Sequence, residues 1–126
     1  MSGTIYEKSM DFAVRIVKLY KYLNDEKHES VMSKQVLRSG TSIGANAAEA
    51  RQAKSKREFT AKMSISLSEA SETEFWLGLL YRSEYLNSRE YESIAGDCRE
   101  LVRILTAIVK TSRANPDGKS TRETEV

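Results

Sequence analysis

The sequence predicts an all-α fold, an antiparallel up-down four-helix bundle. Three observations carry that expectation. Four segments repeat apolar residues at helical spacing, three of them open on a capping-box pattern, and breakers are scarce, with one Pro and six Gly in 126 residues. Abundant Glu, Lys, Arg, Leu and Ala point the same way, and no strand alternation or internal repeat competes. At this length the chain forms one domain with a single core. The expected division is a bundle over residues 1–115, with helices at about 4–25, 31–54, 56–86 and 88–113, and a disordered tail over 116–126.

The first helix opens on Thr4, with Glu7 three residues later as its capping partner. Ile5, Phe12, Ile16, Leu19 and Leu23 form one stripe, and Tyr6, Met10, Ala13, Val17 and Tyr20 an adjoining one. Together they predict a wide buried face. A polar connection from Asp25 to Glu29 leads to Ser30, the expected N-cap of the second helix.

The second helix organises the rest. Gly40 and Gly44 each cost roughly 1 kcal/mol against Ala in a helix, so close packing against a neighbour must offset them. Val36, Gly40, Ile43, Ala47 and Ala50 share one face of small and apolar groups. Arg38, Ser42, Asn46 and Glu49 form a separate polar stripe, which is either a solvated helix face or a hydrogen-bond network that Glu72 of the third helix joins through Arg38 or Asn46.

Ser55 with Glu58 starts the third helix after almost no loop. Phe59, Met63, Ala70, Leu77 and Leu80 make its core face, and small Ser66 and Ala70 permit close approach. Ile65, Phe75, Trp76, Leu79 and Leu86 lie on the other side. One bundle buries about three positions in seven of a helix, so this second face predicts a subunit contact with Trp76 as its anchor. Asn87 with Glu90 opens the fourth helix, where Tyr91, Ile94, Cys98, Leu101, Leu105 and Ile108 keep a heptad rhythm. Asn115-Pro116-Asp117-Gly118 ends it, and the remainder is polar.

Two of these helices carry a family resemblance. Ser39–Ala50 (SGTSIGANAAEA), Lys56–Phe59 (KREF) and Glu69–Leu77 (EASETEFWL) resemble a bacterial four-helix-bundle family. That family includes the proteins encoded by intervening sequences inside 23S ribosomal RNA genes. The matched positions are Ser42, Asn46, Glu49 and Glu72, within a likeness running from Ile5 to Ser112. Gly44 and Ala50 stand where many members have Pro and Gly. The resemblance implies a non-catalytic, nucleic-acid-associated homo-oligomer. Related accessory proteins of diversity-generating retroelements form pentameric rings, so by analogy the expected assembly is a pentamer.

Charge is unevenly spread although the net is only +2. Residues 27–62 hold eight Lys or Arg against three acids, and residues 69–100 hold eight acids against three Arg. Arg51, Lys54, Lys56, Arg57 and Lys62 are therefore the candidate phosphate-binding rim for RNA or DNA. Apart from Phe59, expected in the core, no aromatic is interleaved with them to stack bases. The alternative reading is a protein-interaction scaffold that uses its acidic faces to hold another protein.

Catalytic residues are scarce. His28 is the only histidine and falls in a connection, and Cys98 is alone on an apolar stripe. No nucleophile–base pair, Glu-x-x-His metal motif or phosphate loop can be assembled. The expectations are no enzyme activity, no metal and no cofactor. No apolar run approaches the ~18 residues of a membrane span and no leader opens the chain, so the default is a soluble cytoplasmic protein.

Overall fold

The computed structural model describes residues 3–115. It contains four helices, α1 (Ile5–Asp25), α2 (Met32–Arg51), α3 (Lys56–Arg82) and α4 (Ser88–Ala114), and no strand among the described residues. Contacts run α1–α2, α2–α3, α3–α4 and back from α4 to α1, which closes an up-down bundle. The predicted tail, 116–126, lies outside the described residues.

The capping signals are local, and most hold. Thr4 with Glu7 and Asn87 with Glu90 form reciprocal capping boxes. At α3 only half the box forms. Ser55 accepts from the Glu58 amide at 3.0 Å, but the Glu58 carboxylate accepts from the Lys54 amide instead. Ser55 is extended, as a cap must be, so α2 cannot run on to Lys54; it stops at Arg51.

Two other boundaries differ from expectation. Ser30 does not cap α2. The Glu29 carboxylate does, accepting from the amides of Val31, Met32 and Ser33 at 3.1, 2.9 and 2.8 Å. One side chain thus satisfies three donors that a serine could not reach together. α3 ends at Arg82 and not at 86, because Glu84 turns left-handed at φ 70°. Tyr85 and Leu86 then donate back to the Leu80 carbonyl, and Leu86 tucks into the core at 4% exposure. Leu86 is therefore a core residue and not part of a subunit contact.

The core is made by Ile5, Phe12, Ile16, Leu19 and Leu23 of α1 with the small face of α2 and the predicted stripes of α3 and α4. Phe59 packs only at its edge. On α4 the buried stripe passes through Leu105 to Val109, not Ile108, because a straight helix drifts about 20° per heptad. The second α1 stripe is not buried as expected. Met10 is 64% exposed and Val17 is also exposed, so α1 contributes a narrower face.

Close packing explains the glycines. A Cβ at Gly40 would lie 2.8 to 3.0 Å from three atoms of the buried Ile16 side chain, whereas one at Gly44 would meet Ser9 Oγ at 3.3 Å. Across α2–α3, Ser66 Oγ donates to the Ile43 carbonyl at 2.7 Å and Thr73 Oγ1 donates to Ser39 Oγ at 2.8 Å, both buried. Short side chains can reach a neighbour's backbone only when the helices approach closely. The α1–α4 seam is closed differently, by long polar groups. Lys8 pairs with Glu100 at 2.9 Å, Arg15 with Asp97 at 2.7 Å, and Tyr22 donates to Glu90 at 3.1 Å. Their order along both helices is antiparallel.

These contacts separate the two glycines by experiment. Gly40→Ala is expected to lose about 1–3 kcal/mol from overpacking, while Gly44→Ala stays within about 1 kcal/mol of wild type because gained helix propensity offsets a mild contact. Urea unfolding measures both, and equal losses would contradict the packing described.

Candidate nucleic-acid interface

The antiparallel topology gathers positive charge at one end of the bundle. There α2 ends in Arg51, the connection carries Lys54, and α3 begins with Lys56 and Arg57. α4 returns to the same end, shown by the contact between the Thr60 and Ser112 hydroxyls and by Arg113 Nη2 donating to Ser64 Oγ at 3.2 Å. Arg113 therefore joins the cluster, with the exposed Lys110 one turn earlier on the same helix. They are some fifty residues away in sequence, so only the helix order could have signalled them.

The five predicted cations have different environments. Lys54 and Arg57 are exposed, and their side chains have no partner among the described residues. Arg51 lies over the Tyr6 ring, 4.0 Å from its centroid, and Lys56 lies 5.2 Å from that of Phe59. Burial pushes the Tyr6 phenol up, against the pull of Arg51. Lys62 differs, because it pairs with Glu49 at 2.6 Å and that carboxylate raises its pKa. Its charge is largely met within the chain.

Helix electrostatics sharpen the distinction. Arg51 and Arg113 sit in last helical turns, where the backbone dipole favours cations. Lys56 and Arg57 sit in the first turn of α3, where the dipole disfavours them. The Phe59 ring offsets part of that cost for Lys56, and no side-chain contact among the described residues offsets it for Arg57.

The polar stripe breaks into separate groups and does not form one network. Arg38 bonds Glu69 at 3.1 Å and also reaches Glu72, while Trp76 Nε1 donates to Glu72 at 2.9 Å. Asn46 turns back to the Ser42 carbonyl at 2.9 Å and does not meet Glu72. Glu49 is engaged with Lys62. Arg38 to Trp76 is thus a surface latch between α2 and α3. The Trp76 indole, then the Arg38 guanidinium, hold the Glu72 carboxyl below its ordinary value, and Glu72 raises the Arg38 pKa in return.

Of the expected contact face on α3, Ile65 and Phe75 are exposed, Phe75 at 61%, while Trp76 and Leu79 are half-buried. Phe75 meets Trp76 edge-on with centroids 5.2 Å apart. A second apolar surface was missed. Met10, Val14 and Val17 of α1 are exposed beside an open groove of about 460 Å³, which Met10 lines with Ala13, Ala45 and Ala48. The double stripe of α1 was the available signal, since it exceeds what one bundle buries.

The reactive side chains stand apart from both surfaces. Cys98 is buried, donates to the Ala70 carbonyl at 3.4 Å, and burial pushes its thiol up to about 12. His28 is exposed in the α1–α2 turn. Among the described residues no group of three or more His, Cys, Asp or Glu could hold a metal ion, and no helix is long and apolar enough to cross a membrane.

Comparison with known proteins agrees with the architecture. The model of the 23S rRNA-intervening sequence protein family matches residues 2–107. The crystal structure of a protein with unknown function, from the S23 ribosomal protein family of Bacteroides thetaiotaomicron, is 55% identical and superposes with a TM-score of 0.84. The likeness covers 85% of this chain and 99% of that one. No curated protein matches the chain.

The latch has a pH signature. Because the folded-state pKa of Glu72 is depressed, its contacts are fully formed above the ordinary glutamate range and are lost as pH falls through the depressed value. Trp76 is the only tryptophan and reports the change directly. Its fluorescence is expected to titrate with a midpoint below 4.5, the ordinary value for glutamate, and Arg38→Gln is expected to raise that midpoint. A wild-type midpoint at or above 4.5 would contradict the assignment. The stability at stake is about 1 kcal/mol or less, since both partners are solvated.

Proposed function

The chain belongs to the 23S rRNA-intervening sequence protein family, and on that premise we propose that it is a non-catalytic helical scaffold that binds nucleic-acid backbone through its basic end. The observation that carries the reading is the placement of Lys56 and Arg57 at the positive end of the α3 dipole, beside the unpaired Lys54. Such cations are disfavoured by roughly 0.3–1 kcal/mol each, which an external anion would reverse. Phosphates released from their counterions supply that anion.

The same reading includes a closed homo-oligomer, for which a pentamer is the family analogy. Two apolar surfaces support it. One follows Met10, Val14 and Val17 on α1, and the other follows Ile65 and Phe75 on α3. α1 and α3 do not pack on one another, so the two surfaces are separate patches. Two different patches suit a head-to-tail contact, which closes into a ring when the rotation permits. Phe75 replaces Trp76 as the anchor, because the Trp76 indole is already bonded to Glu72.

Two experiments test this. Binding to mixed-sequence RNA is expected to show little sequence preference and a log–log salt slope of about −2 to −4, as for three or four phosphate contacts. Changing Lys54, Lys56 and Arg57 together to Glu removes the binding at unchanged helical content; equal binding would favour the protein-scaffold reading instead. For assembly, light scattering on a sizing column is expected to give a multiple of the 14.3 kDa chain, and Phe75→Asp to give smaller helical species. A monomeric wild type at micromolar concentration would contradict the ring.

A further inference from the structure

The basic end has a chemistry that selects among nucleic acids, and this inference rests on the backbone-binding reading above. Proteins that hold single strands without sequence preference combine cations with open aromatic faces on which bases stack. Two aromatic rings lie among the cations at this end, those of Tyr6 and Phe59. Both are partly buried against the core, and each has a cation of its own chain, Arg51 or Lys56, over its ring. The stacking platform a loose base would use is therefore occupied.

The cations themselves stand on two banks. Lys54, Lys56 and Arg57 lie at the start of α3, and Lys110 and Arg113 lie at the end of α4, its packed neighbour. α3 and α4 pack side by side, so the two banks line adjacent edges of the same end. We infer that this end takes a nucleic-acid duplex, with the α3 bank on the phosphates of one strand and the α4 bank on those of the other. A duplex presents paired phosphates outward and keeps its bases stacked within, so it needs no aromatic platform. Lys110 and Arg113 are then binding residues equal in standing to Lys54 and Arg57.

Fluorescence anisotropy at matched salt tests the inference, using a duplex RNA of about 20 base pairs, a duplex DNA of the same length and an unstructured single-stranded RNA. The duplexes are expected to bind about tenfold or more tightly than the single strand, and Lys110→Glu with Arg113→Glu to weaken duplex binding by a similar factor. Circular dichroism checks that this variant is folded, and the milder Lys110→Gln with Arg113→Gln is expected to weaken binding in the same direction. Tyr6→Leu, which keeps the packing and removes the ring, is expected to leave duplex affinity unchanged. Equal or tighter single-strand binding, wild-type duplex affinity in both α4 variants, or a marked loss in Tyr6→Leu would each overturn the inference. Binding of none of the three probes would overturn the backbone-binding reading itself.

Discussion

Close approach to α2 is the constraint on which the rest of the structure depends. Gly40 leaves room for the Ile16 side chain, and Ser66 reaches the Ile43 carbonyl from the other side. With α1 and α3 both drawn tightly to α2, the fourth contact of the bundle must span what remains. The α1–α4 seam is accordingly bridged by Lys8, Arg15 and Tyr22, whose lengths tolerate a wider and more polar gap. Tight packing also fixes how little of each helix can be buried. The surplus apolar residues, Met10 and Val14 on α1 and Ile65 and Phe75 on α3, are left at the surface for that reason.

What was legible in the sequence was what depends on neighbours three or four residues apart. The caps at Thr4 and Asn87, the apolar stripes and the small face of α2 are of this kind. The errors fell where one residue acts over a longer reach or where two helices meet. Glu29 serves three amides from outside the helix, a role that pattern reading assigns to a short Ser or Thr. Glu84 takes a left-handed conformation usual for glycine, so nothing in its identity marks the turn that buries Leu86. The second α1 stripe has the right period for a core and lacks only a helix to cover it. Lys110 and Arg113 join the basic end only because an even number of antiparallel helices returns the chain to where it began.

What marks that end is where two of its cations, Lys56 and Arg57, sit on their helix. Away from it some cations meet carboxylates, as in Arg15 with Asp97 and Arg38 with Glu69, while others, such as Lys18, Lys34 and Arg103, have none beside them among the described residues. At the start of α3 the cations oppose the local helix field, and the Glu58 carboxylate among them is turned to the Lys54 amide. The arrangement costs little stability, and a surface for phosphates gives it a use.

The central claim is that these cations oppose folding locally and are kept for an external anion. It is tested most directly by comparing the unfolding free energy of the wild type with that of the Lys54→Glu, Lys56→Glu, Arg57→Glu variant at low and at high salt. The account predicts that the variant is the more stable at low salt, by about 1–2 kcal/mol, and that the two converge as salt screens the difference. A variant that is less stable than the wild type at low salt would contradict it.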